Sequence, residues 1–288
     1  MEITAPATNG RTRRINPDVA VLEPTPTRIP SLDRTALESL LASKTYAGKD
    51  GGSRVRYEHP EELFAPLFGV VEKLGLDGTY SVKTDAPVSV ADKATGERET
   101  AYGRAFVEAR LGLEEEGMTR TIGVAFAFDL GAPQVQVYHG SVVSACTNLT
   151  IFATGGVVTL NYLQHASRVA GALDIAAEAI DDDFKALVAK AQELKATTYD
   201  AGDVRKKIGE MVLKSQQKGT QFDPSLVMNA AGLLVQPTSR YALAPDGSTS
   251  AWNLYNALTQ GITDRSYPHV RAPKTLAASE FFGAVALN

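Results

Sequence analysis

Apolar and polar residues alternate with two different periods along the chain, and the change of period falls near residue 160. Between Thr79 and Leu160 apolar side chains recur at every second position, the spacing that gathers them on one face of a strand. This alternation predicts strands over 79–84, 100–111, 119–130, 134–139 and 141–145, with turn residues between them. Gly96, inside the segment Asp92 to Arg98, supplies a permissive turn position and predicts a hairpin there. Glu114 to Glu116 read as another turn, and short connections favour antiparallel pairing. After Leu160 the spacing becomes helical. Leu163, Ala166, Val169, Ala170, Leu173, Ala177 and Ile180 mark one stripe, and Phe184, Leu187, Val188, Ala191 and Leu194 mark another, which predicts two helices in a hairpin. Further helices are expected at 203–217, 223–234 and 249–262, with Gly232 and Pro237 near one end and Ser248 or Thr249 capping the last.

The segment before the sheet is less regular. Residues 1–30 hold five prolines and the triplet Arg11, Arg13 and Arg14 with little periodicity, and read as an extended or mobile arm. Ser31 or Asp33 then caps a short helix carrying Leu37, Leu40 and Leu41 on one face. A second helix is expected over 60–74, with Pro60, Glu61 and Glu62 suiting its first turn and Pro66 kinking it. Strands followed by helices define an α+β fold, a largely antiparallel sheet leading into a helical C-terminal half. The expected organisation is therefore the arm at 1–30 and one domain at 31–288, with the sheet in 79–160 and helices in 161–262.

Composition narrows the classes further. The chain has 288 residues, 44% of them hydrophobic, enough for a buried core. Its single cysteine, Cys146, excludes an intrachain disulfide and a multi-thiolate zinc site. The sequence has no apolar run of about 18 residues and no basic, then apolar, signal at its start, so no membrane partner and a cytoplasmic location are expected. The formal net charge is -4, and residues 61–165 alone contribute 7 basic and 13 acidic side chains, a local balance of 7 - 13 = -6.

Catalytic signatures are sparse. The sequence contains neither GxxxxGK[ST] nor GxGxxG after a strand, and the Gly155-Gly156 pair lacks a following lysine, so no nucleotide cofactor is expected. His59, His139, His165 and His269 stand far apart without HExxH spacing, and no metal ligand set is assigned. A thiol nucleophile would need Cys146 beside His139 or His165, whereas a lone cysteine after Val142, Val143 and Ala145 reads as a buried packing residue. Asp85, Asp92, Glu97 and Glu99 flank the predicted hairpin and offer oxygen ligands for magnesium, but the strand lysine that accompanies such carboxylates is missing: Glu97 is followed by Arg98 and Glu99. These charges read as a solvated hairpin tip.

The richest pattern lies in 100–111. Period two places Tyr102, Arg104, Phe106, Glu108 and Arg110 on one face and the small apolar Gly103, Ala105, Val107, Ala109 and Leu111 on the other. Aromatic rings interleaved with guanidinium groups suit base stacking and phosphate binding on single-stranded nucleic acid. A solvated face of cross-strand pairs is the alternative. Arg205, Lys206, Lys207, Lys214 and Lys218 make one helix basic and are candidates to line the same groove, and Arg265, His269, Arg271 and Lys274 form a second basic cluster.

One further pattern joins three segments. Cys146-Thr-Asn148 after a strand, His165 and Arg168 in Gln-His-Ala-Ser-Arg, and Trp252-Asn-Leu-Tyr-Asn-Ala-Leu-Thr259 follow one another in order. In this the chain resembles the phage and plasmid-like protein family catalogued as domain of unknown function 932, over about residues 60–265. The resemblance implies a phage, prophage or plasmid origin and an accessory role. Chemically, Asn148 suits a turn, Trp252 and Tyr255 suit a helix core, and Asn256 suits satisfaction of buried backbone groups.

The expected function is a non-enzymatic phage or plasmid accessory protein of DNA metabolism that binds or anneals single-stranded DNA, as a homo-oligomer. The nucleic-acid-binding residues would be Tyr102, Arg104, Phe106, Arg110, Arg205, Lys206 and Lys207, with no catalytic residue and no cofactor. The alternatives are a virion or host-interaction protein without catalysis, which the acidic net charge favours, and a metal-dependent nuclease or other hydrolase.

Overall fold

The computed structural model describes residues 27–42, 45–50, 53–57, 64–76, 78–84, 88–91, 98–102, 104–127, 134–143, 148–151, 156–161, 168–265 and 268–283. The first half contains β1 (Thr27–Leu32), α1 (Arg34–Ala42), β2 (Thr45–Asp50), β3 (Ser53–Tyr57), α2 (Ala65–Leu74) and β4 (Gly78–Thr84). It continues with β5 (Val88–Ala91), β6 (Arg98–Tyr102), β7 (Arg104–Glu115), β8 (Met118–Ala127), β9 (Gln134–Val143), β10 (Asn148–Ile151) and β11 (Val157–Asn161). The second half contains α3 (Arg168–Ala196), β12 (Thr198–Tyr199), α4 (Ala201–Ser215), α5 (Pro224–Val235), β13 (Thr249–Ser250), α6 (Ala251–Arg265) and α7 (Pro268–Phe281). Strands give way to helices, and the fold is α+β.

The large sheet runs β1-β4-β7-β8-β9, and β10 and β11 take successive stretches of the outer edge of β9. All of its pairings are antiparallel. A smaller sheet has the order β3-β2-β6-β5, with β5 and β6 antiparallel as the hairpin reading requires and β2 and β6 parallel. The tip of that hairpin, 92–97, lies outside the described residues. β7 and β8 are joined by Glu116 and Gly117, both at positive φ (53° and 79°), the two-residue turn whose twist matches its strands. Glu116 is not a glycine, and α3 holds it there: Lys195 Nζ donates to its carbonyl at 3.1 Å and to its carboxylate at 3.0 Å.

Several expectations change. Residues 27–30 do not belong to a free arm, because β1 pairs with β4; residues 1–26 lie outside the described residues. Asp33 does cap α1, accepting the Ala36 N–H at 2.7 Å. Pro66 sits in the first turn of α2, where its missing N–H costs nothing, and does not kink it. The expected strands 134–139 and 141–145 run together over 134–143 as one strand, β9, because Gly140 continues the ladder opposite Thr121, and 144–145 lie outside the described residues. The expected strand 100–111 is instead two: β6 belongs to the small sheet and β7 to the large one. In place of the helix hairpin expected over 163–194, the described residues from Arg168 onward form a single 29-residue helix, α3, and 163–167 lie outside the described residues. Its buried stripe, Val169, Leu173, Ala176, Ile180, Phe184, Leu187, Ala191 and Leu194, runs on through the acidic Asp181-Asp182-Asp183. Those acids do not break it because the sheet supplies partners: Arg120 Nε lies 2.7 Å from Asp181, and His139 Nε2 lies 2.6 Å from Asp183. The cap of α6 is Ser250, which accepts the Asn253 N–H at 3.1 Å, and α7 is an additional helix.

One sheet face, with Ala105, Val107, Ala109, Leu111, Ile122, Val124, Phe126 and Val137, packs on α1, α2 and the first half of α3. The other carries a smaller core of Phe106, Ala125, Tyr138 and Val142 against Ala272 and Leu276 of α7. A third core joins α4, α5, α6 and α7 around Met211, Leu226, Tyr255 and Phe282. Here Trp252 and Tyr255 stack at 5.6 Å, the Tyr255 hydroxyl lies 3.0 Å from Ser279 Oγ, and Asn256 Nδ2 donates to the Trp252 carbonyl at 2.8 Å.

Candidate nucleic-acid interface

The β7 face is built from the register outward. Phe106 stands opposite Ala125 of β8, Glu108 opposite Gly123 and Arg110 opposite Thr121, and Gly123 in turn stands opposite Tyr138 of β9. Because Gly123 has no side chain, the Tyr138 ring lies across β8, and its hydroxyl is 3.4 Å from Glu108 Oε2. Arg110 Nε approaches the other oxygen of Glu108 at 3.4 Å. Burial, and after it the Glu108 charge, hold the Tyr138 phenol well above its ordinary ionisation range.

Helix α7 closes over this row. Phe106 is 2% exposed, stacked on Tyr138 with ring centres 5.0 Å apart, and the Arg271 guanidinium sits 5.3 Å from its centre. Glu108 and Arg271 are also buried, at 1% and 2%. The open stacking platform expected on this face is therefore corrected: in this packing no base reaches the Phe106 ring. The reason is chemical, since Ala272 and Leu276 of α7 bury the aromatic pair while Arg271 lies beside the acidic Glu108–Tyr138 row. Arg104 and Arg110 remain partly exposed at the border. Tyr102 does not join them, because its strand lies in the other sheet.

The basic helix stands apart from β7. Asp200 caps α4 by accepting the N–H groups of Gly202 and Asp203, at 2.6 and 2.8 Å. Arg205 and Lys206 are exposed. Lys207 is half-buried, pairs with Glu210 at 3.0 Å and lies 4.6 Å from the centre of the Phe281 ring on α7. Lys214 approaches Phe281 and Phe222 at 6.0 and 5.8 Å. The helix packs chiefly on α5 and β12, so it does not line a groove with β7.

Of the other candidates, Cys146, His165, Asp85, Asp92 and Glu97 lie outside the described residues, and Glu99 falls on β6. Asn148 begins β10, opposite Val143. Among the described residues no group of three or more His, Cys, Asp or Glu side chains is placed to hold a metal ion, and no helix is long and apolar enough to cross a membrane. Sequence reasoning missed the His139–Asp183 pair and the insertion of Arg271 beneath the sheet. An acidic triplet inside an unbroken apolar stripe was the available signal for the first; nothing local marked the second. No protein-family model, curated protein or solved structure matches the chain.

Proposed function

We propose that the chain is a non-enzymatic accessory protein of phage or plasmid DNA metabolism that binds single-stranded nucleic acid through α4 rather than through the β7 face. One observation carries this reading: residues 201–219 hold five cations (Arg205, Lys206, Lys207, Lys214, Lys218) against Asp203 and Glu210, a balance of 5 - 2 = +3 in a chain of net charge -4. Phe281, partly exposed, lies beside two of those lysines and adds a ring at the edge of the positive surface. Phosphates neutralise the exposed cations, and Phe281 offers a base a stacking surface. Fluorescence anisotropy with a labelled oligonucleotide tests it. Wild type binds at low salt, and Arg205→Glu with Lys206→Glu weakens binding and flattens the slope of log affinity against log salt by about 0.7 for each phosphate no longer neutralised.

Absence of binding by the wild type at low salt refutes the proposal. The second reading, a virion or host-interaction protein without catalysis, then takes its place, favoured by the exposed apolar Leu213, Met228 and Val235 at 65%, 66% and 72%.

A further inference from the structure

A cleft of about 440 Å³ opens between the β9–β11 edge of the sheet and the first turns of α3, away from both surfaces discussed above. Its walls are apolar: Val137, Val158, Leu160, Ala172, Ile175 and Ala176. Ile175 is 68% exposed, an uncommon position for a large aliphatic side chain. Gly171 lies on the helical wall, and a Cβ placed there meets no atom within 4 Å. A glycine inside a helix weakens it, and no neighbouring atom requires one here; its effect on the structure is to keep the cleft wide.

The two ends are polar and differ. At one stands Arg168, exposed and without an ion pair among the described residues. From Arg168 to Ala176 the helix rises about 12 Å, and His139 closes the far end. His139 is 3% exposed; its Nε2 is engaged by Asp183 at 2.6 Å, and its Nδ1 is buried without a hydrogen-bond partner. The carboxylate fixes a proton on Nε2, and a hydroxyl, donor and acceptor at once, satisfies Nδ1 whether or not that nitrogen also carries one. A buried polar nitrogen left unpaired is a costly feature of a folded protein.

We propose that this cleft is a binding site for a small amphiphilic acid: an apolar chain along the aliphatic walls, a carboxylate at Arg168 and a hydroxyl hydrogen-bonded to His139 Nδ1. Charge complementarity at the mouth selects an anion over a cation, and the orphan nitrogen at the inner end selects a hydroxylated chain over a plain one.

Calorimetric titration of the full chain with ω-hydroxydecanoate, decanoate and decylamine tests the assignment. The hydroxy acid binds saturably and about tenfold more tightly than decanoate, the gain from pairing one buried polar atom, and decylamine gives no saturable heat. Arg168→Ala weakens both acids. Gly171→Leu fills the cleft and abolishes both while raising the melting temperature, because the helix gains a better former. His139→Phe removes the preference between the two acids; if that variant does not fold, the preference measured on wild type decides alone. The proposal is overturned if no acid binds at millimolar concentration, if decylamine binds as tightly as decanoate, or if Gly171→Leu binds like wild type.

Discussion

The Tyr138 hydroxyl lies 3.4 Å from Glu108 Oε2 although the two residues sit on strands that are not neighbours, with Gly123 of β8 between them. The contact exists because Gly123 leaves the ring a path across the sheet. A Cβ at Gly123 would overlap the Tyr138 ring and hydroxyl. Gly123→Ala is expected to cost about 1–3 kcal/mol, the usual penalty of overpacking. Tyr138→Phe, which only removes a long hydrogen bond, is expected to cost about 1 kcal/mol. Urea midpoints measure both. If the ring is the cause, Gly123→Ala combined with Tyr138→Ala is less destabilised than the two single losses added together.

The same tyrosine gives a pH dependence of definite sign. Burial raises the phenol above its ordinary value of 10.0 in the folded state, so the folded protein holds the proton more tightly than the unfolded chain does. Stability from this group is full below the ordinary value and falls as pH rises beyond it. Ultraviolet titration should therefore show Tyr138 ionising only together with alkaline unfolding, and Tyr138→Phe should flatten the alkaline limb of the stability curve.

Within the acidic triplet of α3 the three positions are unequal. Asp183→Ala leaves the Nε2 of a buried His139 unpaired as well as its Nδ1, and the expected loss is about 1–3 kcal/mol. Asp182, 92% exposed, should be replaceable by Ala within about 0.5 kcal/mol. Thermal melts of the two variants side by side check the contrast; equal losses would mean that the His139 imidazole does not hold this stretch of helix.

Period alone revealed the change from sheet to helices, because the side chains of β4, β7 and β8 alternate between two covered layers and those of α4 and α5 do not. Period failed at 181–183, where three consecutive acids look like a loop until Arg120 and His139 are brought opposite them. It failed again between Tyr102 and Arg104: both keep the same alternation, and only pairing assigns them to different sheets. The candidate site was misplaced for a related reason. Alternation says which residues share a face, but the cover over Phe106 comes from Ala272, more than 160 residues later in the chain, and no local signal reports such a distance. The basic helix was legible because its charges are local.

The helix caps offer a separate check. Asp223 caps α5, and its carboxyl is held below the ordinary 3.8 by hydrogen bonding to the Ser225 side chain and backbone N–H. Asp223→Ala should cost about 0.5–2 kcal/mol at neutral pH. A depressed carboxyl stabilises the fold above its ordinary value and loses that contribution as pH falls through the lower, folded-state value. The difference between Asp223→Ala and wild type should therefore shrink in acid, whereas Asp223→Asn, which caps without titrating, should keep a pH-independent difference from Asp223→Ala.

Phe106 and the α4 cations should separate stability from binding. Phe106 is 2% exposed and stacked on Tyr138, so Phe106→Ala removes a buried ring and is expected to cost about 3–5 kcal/mol. Arg205 and Lys206 are exposed, and their replacement by Glu should move stability by no more than about 0.5 kcal/mol each. Binding should show the reverse order. Folded Phe106→Ala protein, measured well below its melting temperature, should hold a labelled oligonucleotide as wild type does, because no base reaches that ring beneath α7. The Arg205→Glu, Lys206→Glu protein should bind more weakly, and the deficit should grow as salt is lowered, since it is the electrostatic contribution that has been removed. If Phe106→Ala instead lost affinity at every salt concentration while remaining folded, α7 would have to leave the sheet on binding, and the interface would return to the β7 face.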